Sequence, residues 1–382
     1  MPRACAVVTF LVLLGSSCQL GQFDYPAFAP ESFAELDRPW VFYTPIVPEN
    51  QKGLYNTATH QTWLQEPMEG DPGYFAVLNT DTLEIEKRLR WTEGKLYIFA
   101  NGVTDQKKKV TYFLTNGIAS LLKWDHRTGV LSRVMSLGEQ VGAFPQMALV
   151  ASGVFIRGNF YDESGRLHFY YVNPEKSQVL WTGQMDPNSL QLDFADPATD
   201  QVLLRDFNDP HGNNFERLDL GSKTQSTVKL GDASHGHINI VSGGDAIYAS
   251  FAGSDLSKAP NVWTGDNYLS VLDPATWKEV RRVSLPSLGG AEFVNGVHLF
   301  GGRVYVFLNS PTTERRHLYS ADPAVMTWQL VKADIDFPGG GRASFQKDSV
   351  LYEVSCNSAG FGTWTLDLLD GSVTTAKVSW VY

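Results

Sequence analysis

Residues 268–286 read YLSVLDPATWKEVRRVSLP: an apolar run, an Asp-Pro-Ala-Thr corner, then a second run in which Val280 and Val283 are separated by charge. That is the pattern of two short strands joined by a tight turn. Six further segments align beside it: AVLNTDTLEIEKRLRW, LLKWDHRTGVLSRVMSL, YYVNPEKSQVLWTG, ERLDLGSKTQSTVKL, LYSADPAVMTWQLVKA and TLDLLDGSVTTAKVSW. In each, an apolar strand ends in Asp or Asn, a short turn follows, and a strand of alternating character leaves it. The markers are Asn79, Asp125, Asn173, Asp219, Asp273, Asp322 and Asp367, spaced 46, 48, 46, 54, 49 and 45 residues apart.

The marker has a local cause. An Asp or Asn side chain accepts bonds from backbone N–H groups two or three residues on, a following Pro presets φ, and a Gly supplies φ > 0. Upstream of each hairpin lie two more apolar runs, such as HINIVSGG and AIYASFAG in the fifth unit, and no segment has sustained helical periodicity. Each unit therefore supplies four antiparallel strands. A sheet this thin buries both faces only by packing on its neighbours. The expected fold is all-β: a seven-bladed β-propeller with four antiparallel strands per blade. The expected blades are 40–91, 92–138, 139–184, 185–231, 232–286, 287–335 and 336–382. On this phase no blade takes a strand from the other end of the chain. The ten tryptophans fall mostly in or beside the hairpins, where packing between blades explains them; a sugar-binding platform is the alternative.

The stretch YLSVLDPATWKEVRRVSL resembles the YVTN-type repeat, a strand, then Asp-x-x-Thr, then a polar strand running into Val or Ile. Asp125 and Thr128 keep that pattern in the second unit. The resemblance implies a propeller of the YVTN-repeat and quinoprotein-dehydrogenase-like superfamily, which includes surface-layer-like proteins and lactonase-like enzymes. It describes how a blade turns and carries little about what is bound.

The N-terminus carries Arg3, the apolar run AVVTFLVLLG (6–15) and the small-residue stretch SSCQLG. This is the layout of a secretory signal peptide, expected over 1–19, with a lead-in over 20–39 and the propeller over 40–382. The chain is expected to be secreted or extracytoplasmic. A lipoprotein acylated at Cys18 is the alternative, disfavoured by Gly15 where a large aliphatic residue is usual. The run is too short to span a bilayer as an ordinary helix, and no later segment approaches that length. Removal of the leader leaves Cys356 as the single thiol, so no internal disulfide is expected and Cys356 reads as a buried strand residue. A net charge of −10 argues against nucleic acid as a partner.

Loops between blades, and those between second and third strands, gather at one end of the channel, opposite the marked turns. Three stretches fall there. DASHGHINI places His235 and His237 two apart, on one side of an inner strand, and FNDPHGNNF adds Asp209 and His211. Together His211, His235 and His237 are a candidate set for a divalent transition metal; the plainer reading is neutral, hydrogen-bonded histidines, and no cofactor is predicted. DFPGGGRASF places Arg342 behind three glycines, an arrangement able to hold a carboxylate or phosphate, although the glycines also suit a tight crossing. The long segments 251–268 and 309–317 add Asp255, Trp263, Asp266, Arg315 and Arg316 as contact candidates. There is no Gly-x-Ser-x-Gly, His-Glu-x-x-His or Cys-x-x-Cys. The leading expectation is an exported, non-catalytic propeller that binds a protein, glycan or small-molecule ligand at one end of its channel, through Asp209, His211, His235, His237, Arg342 or Trp263. The alternatives are a metal-dependent or lactonase-like enzyme on the His-rich face and a structural envelope or wall protein.

Overall fold

The computed structural model describes residues 40–43, 54–56, 61–63, 73–79, 85–91 and most of 98–377. Within the last span, residues 106, 116–117, 126, 129, 141–145, 162–166, 186–188, 197, 207–208, 210–211, 256–261, 288–289, 291, 311–314, 337–342 and 358–359 lie outside the description. So do the expected leader and lead-in.

The described elements are all strands, and every pairing between them is antiparallel. Six sheets of four consecutive strands cover 98–140, 146–185, 189–229, 235–284, 293–335 and 343–377. A three-stranded sheet precedes them: Trp40–Tyr43 pairs with Gly73–Asn79, which pairs with Ile85–Trp91. Each of the seven sheets holds one marked hairpin, and no described sheet mixes strands from the two ends of the chain.

The first unit departs from the expected four strands. Leu54–Asn56 and Gln61–Trp63 pair with each other as a separate ribbon, and Trp40–Tyr43 lies directly against the marker strand. Pro45, Pro48, Pro67 and Pro72 punctuate this stretch. A proline donates no backbone bond, so a run broken this often is a poor source of two further ladder strands.

The marked turns form as the chemistry requires. Asp125 Oδ1 accepts from the N–H of Arg127 at 2.9 Å and Thr128 at 3.2 Å. Asn173 accepts from Glu175 and Lys176, both at 3.1 Å, and Asp273 from Ala275 at 3.1 Å and Thr276 at 2.7 Å. Asp219, Asp322 and Asp367 each accept one such bond at 2.8–2.9 Å. In the five turns where it is described, the residue four after the marker is left-handed: Ser177 (φ 48°), Lys223 (56°), Trp277 (59°), Met326 (57°) and Gly371 (69°). Most hairpins also carry a register shift just beyond the turn; in the fifth sheet Leu272 faces Glu279 while Val271 faces Arg281, leaving Val280 as a bulge.

The core lies between the sheets. Val110, Tyr112 and Leu121 pack with Met147, Ile156 and Tyr170 across the second and third. Phe194, Leu203 and Phe215 pack with Phe251, Tyr268 and Trp277 across the fourth and fifth. Val297, Val304 and Val306 meet Tyr248 and Leu269 across the fifth and sixth, and Tyr305, Phe307 and Leu318 meet Leu351 and Leu366 across the sixth and seventh. Tryptophans serve these seams. Trp277 is 3% exposed, crosses Phe194 edge-on at 5.6 Å and donates Nε1–H to Gln201 Oε1 at 2.7 Å. Trp181 meets Phe169 edge-on at 4.7 Å.

Polar links cross the same seams. Arg281 reaches from the fifth sheet to the carbonyls of Ala324 (3.0 Å) and Val325 (2.8 Å) in the next marked turn. Asn239 accepts from Val297 N–H at 2.9 Å, joining two inner strands.

Candidate functional site

At the loop end of the fourth and fifth sheets, Asp209 Oδ2 accepts the N–H groups of Asn213 and Asn214, each at 2.8 Å. Its carboxylate thus fixes the loop that presents Asn213, which is 1% exposed. The Asn213 amide donates to the carbonyls of Asp232 (2.6 Å) and His235 (2.7 Å), tying the fourth sheet to the entry of the fifth. Asn267 repeats the device one unit on. It donates to Glu292 O at 3.1 Å and accepts from Val294 N–H at 3.3 Å. Both asparagines stand six residues before their marker.

The loop so held contains Gly231, with φ +74°; a Cβ there would meet the Phe251 ring at 2.5 Å, so only glycine lets the chain lie against that ring. Next come Asp232 and His235. His235, 8% exposed, has Nδ1 2.7 Å from Asp232 Oδ1 and Nε2 3.3 Å from Asp266 Oδ2. An ionised carboxylate only accepts, so Nδ1 carries a proton. The imidazole crosses Tyr268 edge-on at 4.7 Å, and Tyr268 stacks on Phe251 at 4.9 Å. Over the Tyr268 ring, 4.1 Å from its centroid, lies the Arg282 guanidinium. Arg282 is pinned from both sides, by Asp232 Oδ2 at 2.8 Å and Glu279 Oε1 at 3.1 Å. The bulge at Val280 makes that i,i+3 pair possible along a strand.

The charges follow the geometry. Burial opposes ionisation of Asp232, but hydrogen bonds from His235, Ser234 and Arg282 outweigh it and hold the carboxyl well below the usual carboxylate range. Burial pushes the Tyr268 hydroxyl above its ordinary value; Arg282 pulls the other way, and the negative charges of Asp232 and Glu279 add to the rise. Ser234 lies 3.0 Å from His235 Nδ1 and donates to Asp232 Oδ1 at 2.8 Å. Serine and aspartate therefore share one ring nitrogen. Activation of a serine nucleophile needs them on opposite nitrogens.

Of the residues expected at a site, Asp209 and His235 share this loop system, Asp209 through Asn213. His211 and Arg342 lie outside the described residues, as does the side chain of His237; positions 235 and 237 do face the neighbouring strand in unbroken register, opposite Gly253 and Phe251. Trp263 stacks on Phe293 at 5.0 Å, flanking the core between the fifth and sixth sheets. Among the described residues no group of three or more His, Cys, Asp or Glu is placed to hold a metal. Sequence reasoning missed Asn213, Asp232, Asn267, Tyr268, Glu279 and Arg282. The shared offset of Asn213 and Asn267 from their markers was the available signal.

A larger cavity, about 830 Å³, opens at the other end, among the inner strands of the second, third and fourth sheets and their turns. Its wall is mainly apolar, with Val103, Leu149, Leu192 and Phe194, and Asp105, Lys107 and Lys108 stand at its rim. Lys108 reaches Asp105 at 3.4 Å and Glu175 at 3.7 Å, and Glu175 accepts from the Tyr112 hydroxyl at 3.2 Å.

Solved structures similar to this chain are β-propellers, and that is the class of protein it is. It aligns with the propeller domain of the trilobed protease from Pyrococcus furiosus at 11% identity and a TM-score of 0.50, over 74% of this chain and 86% of that one. A 6-phosphogluconolactonase-like protein from Bacteroides uniformis aligns at 12% identity and 0.50, over 90% and 98%. A prolyl endopeptidase aligns at 14% identity and 0.53, over 90% of this chain but only 50% of its own. At these identities the likeness is one of fold. No family model matches the chain, and no curated protein matches it in sequence. Among the described residues no helix is long and apolar enough to cross a membrane.

Proposed function

We propose that the chain is an exported, non-catalytic β-propeller of YVTN-like blade design that binds a small ligand at one end of its central channel. The observation that carries this reading is the cavity of about 830 Å³ among the inner strands, apolar in its walls and charged at its rim. Pockets of roughly 300–1,000 Å³ with this division of surface are the usual form of a small-molecule site. The end differs from the one expected from the loops, because inner-strand residues and the turns after them line this cavity. The groups around His235 favour binding over serine-based turnover, since Ser234 and Asp232 share Nδ1 and the serine donates to that same carboxylate, while Nε2 has no hydrogen-bond partner among the described residues.

The test uses 8-anilinonaphthalene-1-sulfonate, an amphiphile of suitable size. Saturable one-to-one fluorescence enhancement is expected, lost in Ala195→Trp, which fills the cavity, at unchanged circular dichroism. Equal binding by that variant sinks the reading.

A metal-dependent or lactonase-like enzyme is the second reading, favoured by the exposed Asp266 carboxylate beside His235 Nε2. A metal at His235 would meet Nε2, which has no hydrogen-bond partner among the described residues, with Asp266 as the neighbouring carboxylate. Stoichiometric metal in the mature protein, lost in His235→Ala/His237→Ala, would establish it. Export is checked by N-terminal sequencing of secreted protein, where a start near residue 20 is expected and an acylated Cys18 marks the lipoprotein. A structural envelope role predicts firm sedimentation with wall fractions.

A further inference from the structure

A second concavity, about 420 Å³, runs along the rim between the fourth and fifth sheets. One wall is the outer strand Thr224–Lys229; the other is the marked hairpin from Leu272 to Arg282. Three cations line it, Lys229, Lys278 and Arg282, against the carboxylate of Glu279, with Asp232 just beyond the lining and 2.8 Å from Arg282. Glu279 is already engaged by Arg282 and the Ser270 hydroxyl. Neither lysine has an ion-pair partner among the described residues. This is a positive groove on a chain whose net charge is −10.

The arrangement narrows the ligand. Lys278 stands in the turn before the strand Glu279–Ser284, Arg282 within that strand beyond the bulge at Val280, and Lys229 on the opposite wall, so the cations come from three places around the groove rather than from one. Arg282 is held in place by Asp232, Glu279 and the Tyr268 face, which lowers the cost of ordering it on binding. Leu230, Leu272 and Trp277 beneath are each only 2–3% exposed, so a ligand meets ammonium, guanidinium and the hydroxyls of Thr227 and Thr276. A polar surface without side-chain pockets suits a hydroxylated carrier better than a peptide.

We infer that this rim groove is a binding site for a short acidic oligosaccharide, its carboxylates or sulfates paired with Lys229, Lys278 and Arg282. The site is separate from the channel cavity and stands without it. Calorimetric titration with trigalacturonate tests it, with maltotriose and hexaglutamate as comparisons. Saturable binding of trigalacturonate is expected, weakening with salt, absent for maltotriose and at least tenfold weaker in Lys229→Glu/Lys278→Glu. Ala195→Trp, which fills the channel cavity, leaves it unchanged. Should the charge reversal not fold, Lys229→Gln/Lys278→Gln gives the same comparison, with a several-fold loss expected. No binding of trigalacturonate, equal binding by the variants, or preferential binding of hexaglutamate overturns the inference, the last by showing that the groove takes an acidic peptide.

Discussion

Replacing Lys223 by glycine is expected to stabilise the protein. Lys223 stands four residues after Asp219 with φ 56°, and its side chain is exposed. An L-residue in the left-handed region pays roughly 1–2 kcal/mol for the approach of Cβ to its neighbouring carbonyl, a cost glycine escapes. Against that stands the greater freedom glycine loses on folding, about 0.5–1 kcal/mol. The net gain is about 0.5–1 kcal/mol per turn. Ser177→Gly (φ 48°) occupies the same place in the third sheet, far enough away for the two gains to add. Gly371 already provides this solution in the seventh unit. The matching control is Trp277→Gly. It relieves the same backbone strain but removes a side chain 3% exposed that is bonded to Gln201, and a loss of roughly 3–5 kcal/mol follows. Calorimetry reads both signs, with a rise of about 1–2 °C for each surface glycine on a chain this long. A fall in Tm for Lys223→Gly and Ser177→Gly alike would show that the turns are not held left-handed at a cost.

Asn213→Ala leaves the carbonyls of Asp232 and His235 without the donors they meet at 2.6 and 2.7 Å, at about 1–3 kcal/mol for the pair, and Asn267→Ala behaves alike; chemical unfolding midpoints report both. His298 packs edge-on to Phe307 at 5.6 Å, and burial, with Arg316 adding to it and Gln346 opposing, pushes its imidazole down to about 4. A histidine depressed in the fold takes its proton more readily when unfolded. Stability is therefore whole above about pH 6.5 and declines from there towards pH 4, by about 1–2 kcal/mol at pH 5. His298→Phe should flatten that slope in unfolding measured from pH 7 to 5; an unchanged slope sinks the assignment.

The marked hairpins were legible because their cause is local: an acceptor, two N–H groups and a residue able to turn, all within five positions. The seams between sheets were legible for a related reason, since a thin four-stranded unit has nowhere else to bury Phe, Tyr and Trp. The first unit was not. Its apolar runs counted as strands, but what decides pairing is whether donors line up across a ladder, and four prolines between Tyr43 and Gly73 bear on that more than hydropathy does. Around His235, the neighbour at Asp232 lies three positions away and could be guessed. Asp266 and Arg282 arrive through strand register, which a shift between Ala252 and Ser254 and the bulge at Val280 both alter. A one-residue slip turns a side chain to the other face, so no reading of alternation alone could have placed them.

These displaced residues share one unit. The gap from Asp219 to Asp273 is the longest of the series at 54 residues, and the strand Val262–Leu272, at 11 residues, is the longest described. The hairpin it forms with Ile247–Asp255 carries Trp263 to the sixth sheet, and its Asp266 meets His235. The unit also lends Trp277 to the fourth sheet, through Gln201, and Arg281 to the sixth. A repeat that only had to stack would need none of this length. The unit that best keeps the turn motif is also the one most built out beyond it, because the marked turn fixes one end of the sheet so firmly that the other end is free to vary. Extra chain at that free end costs little, since loop-closure entropy grows only slowly with length. Side chains that link neighbouring sheets, Trp263, Trp277 and Arg281 among them, therefore accumulate at the seams flanking the fifth sheet, where two packed neighbours hold them still.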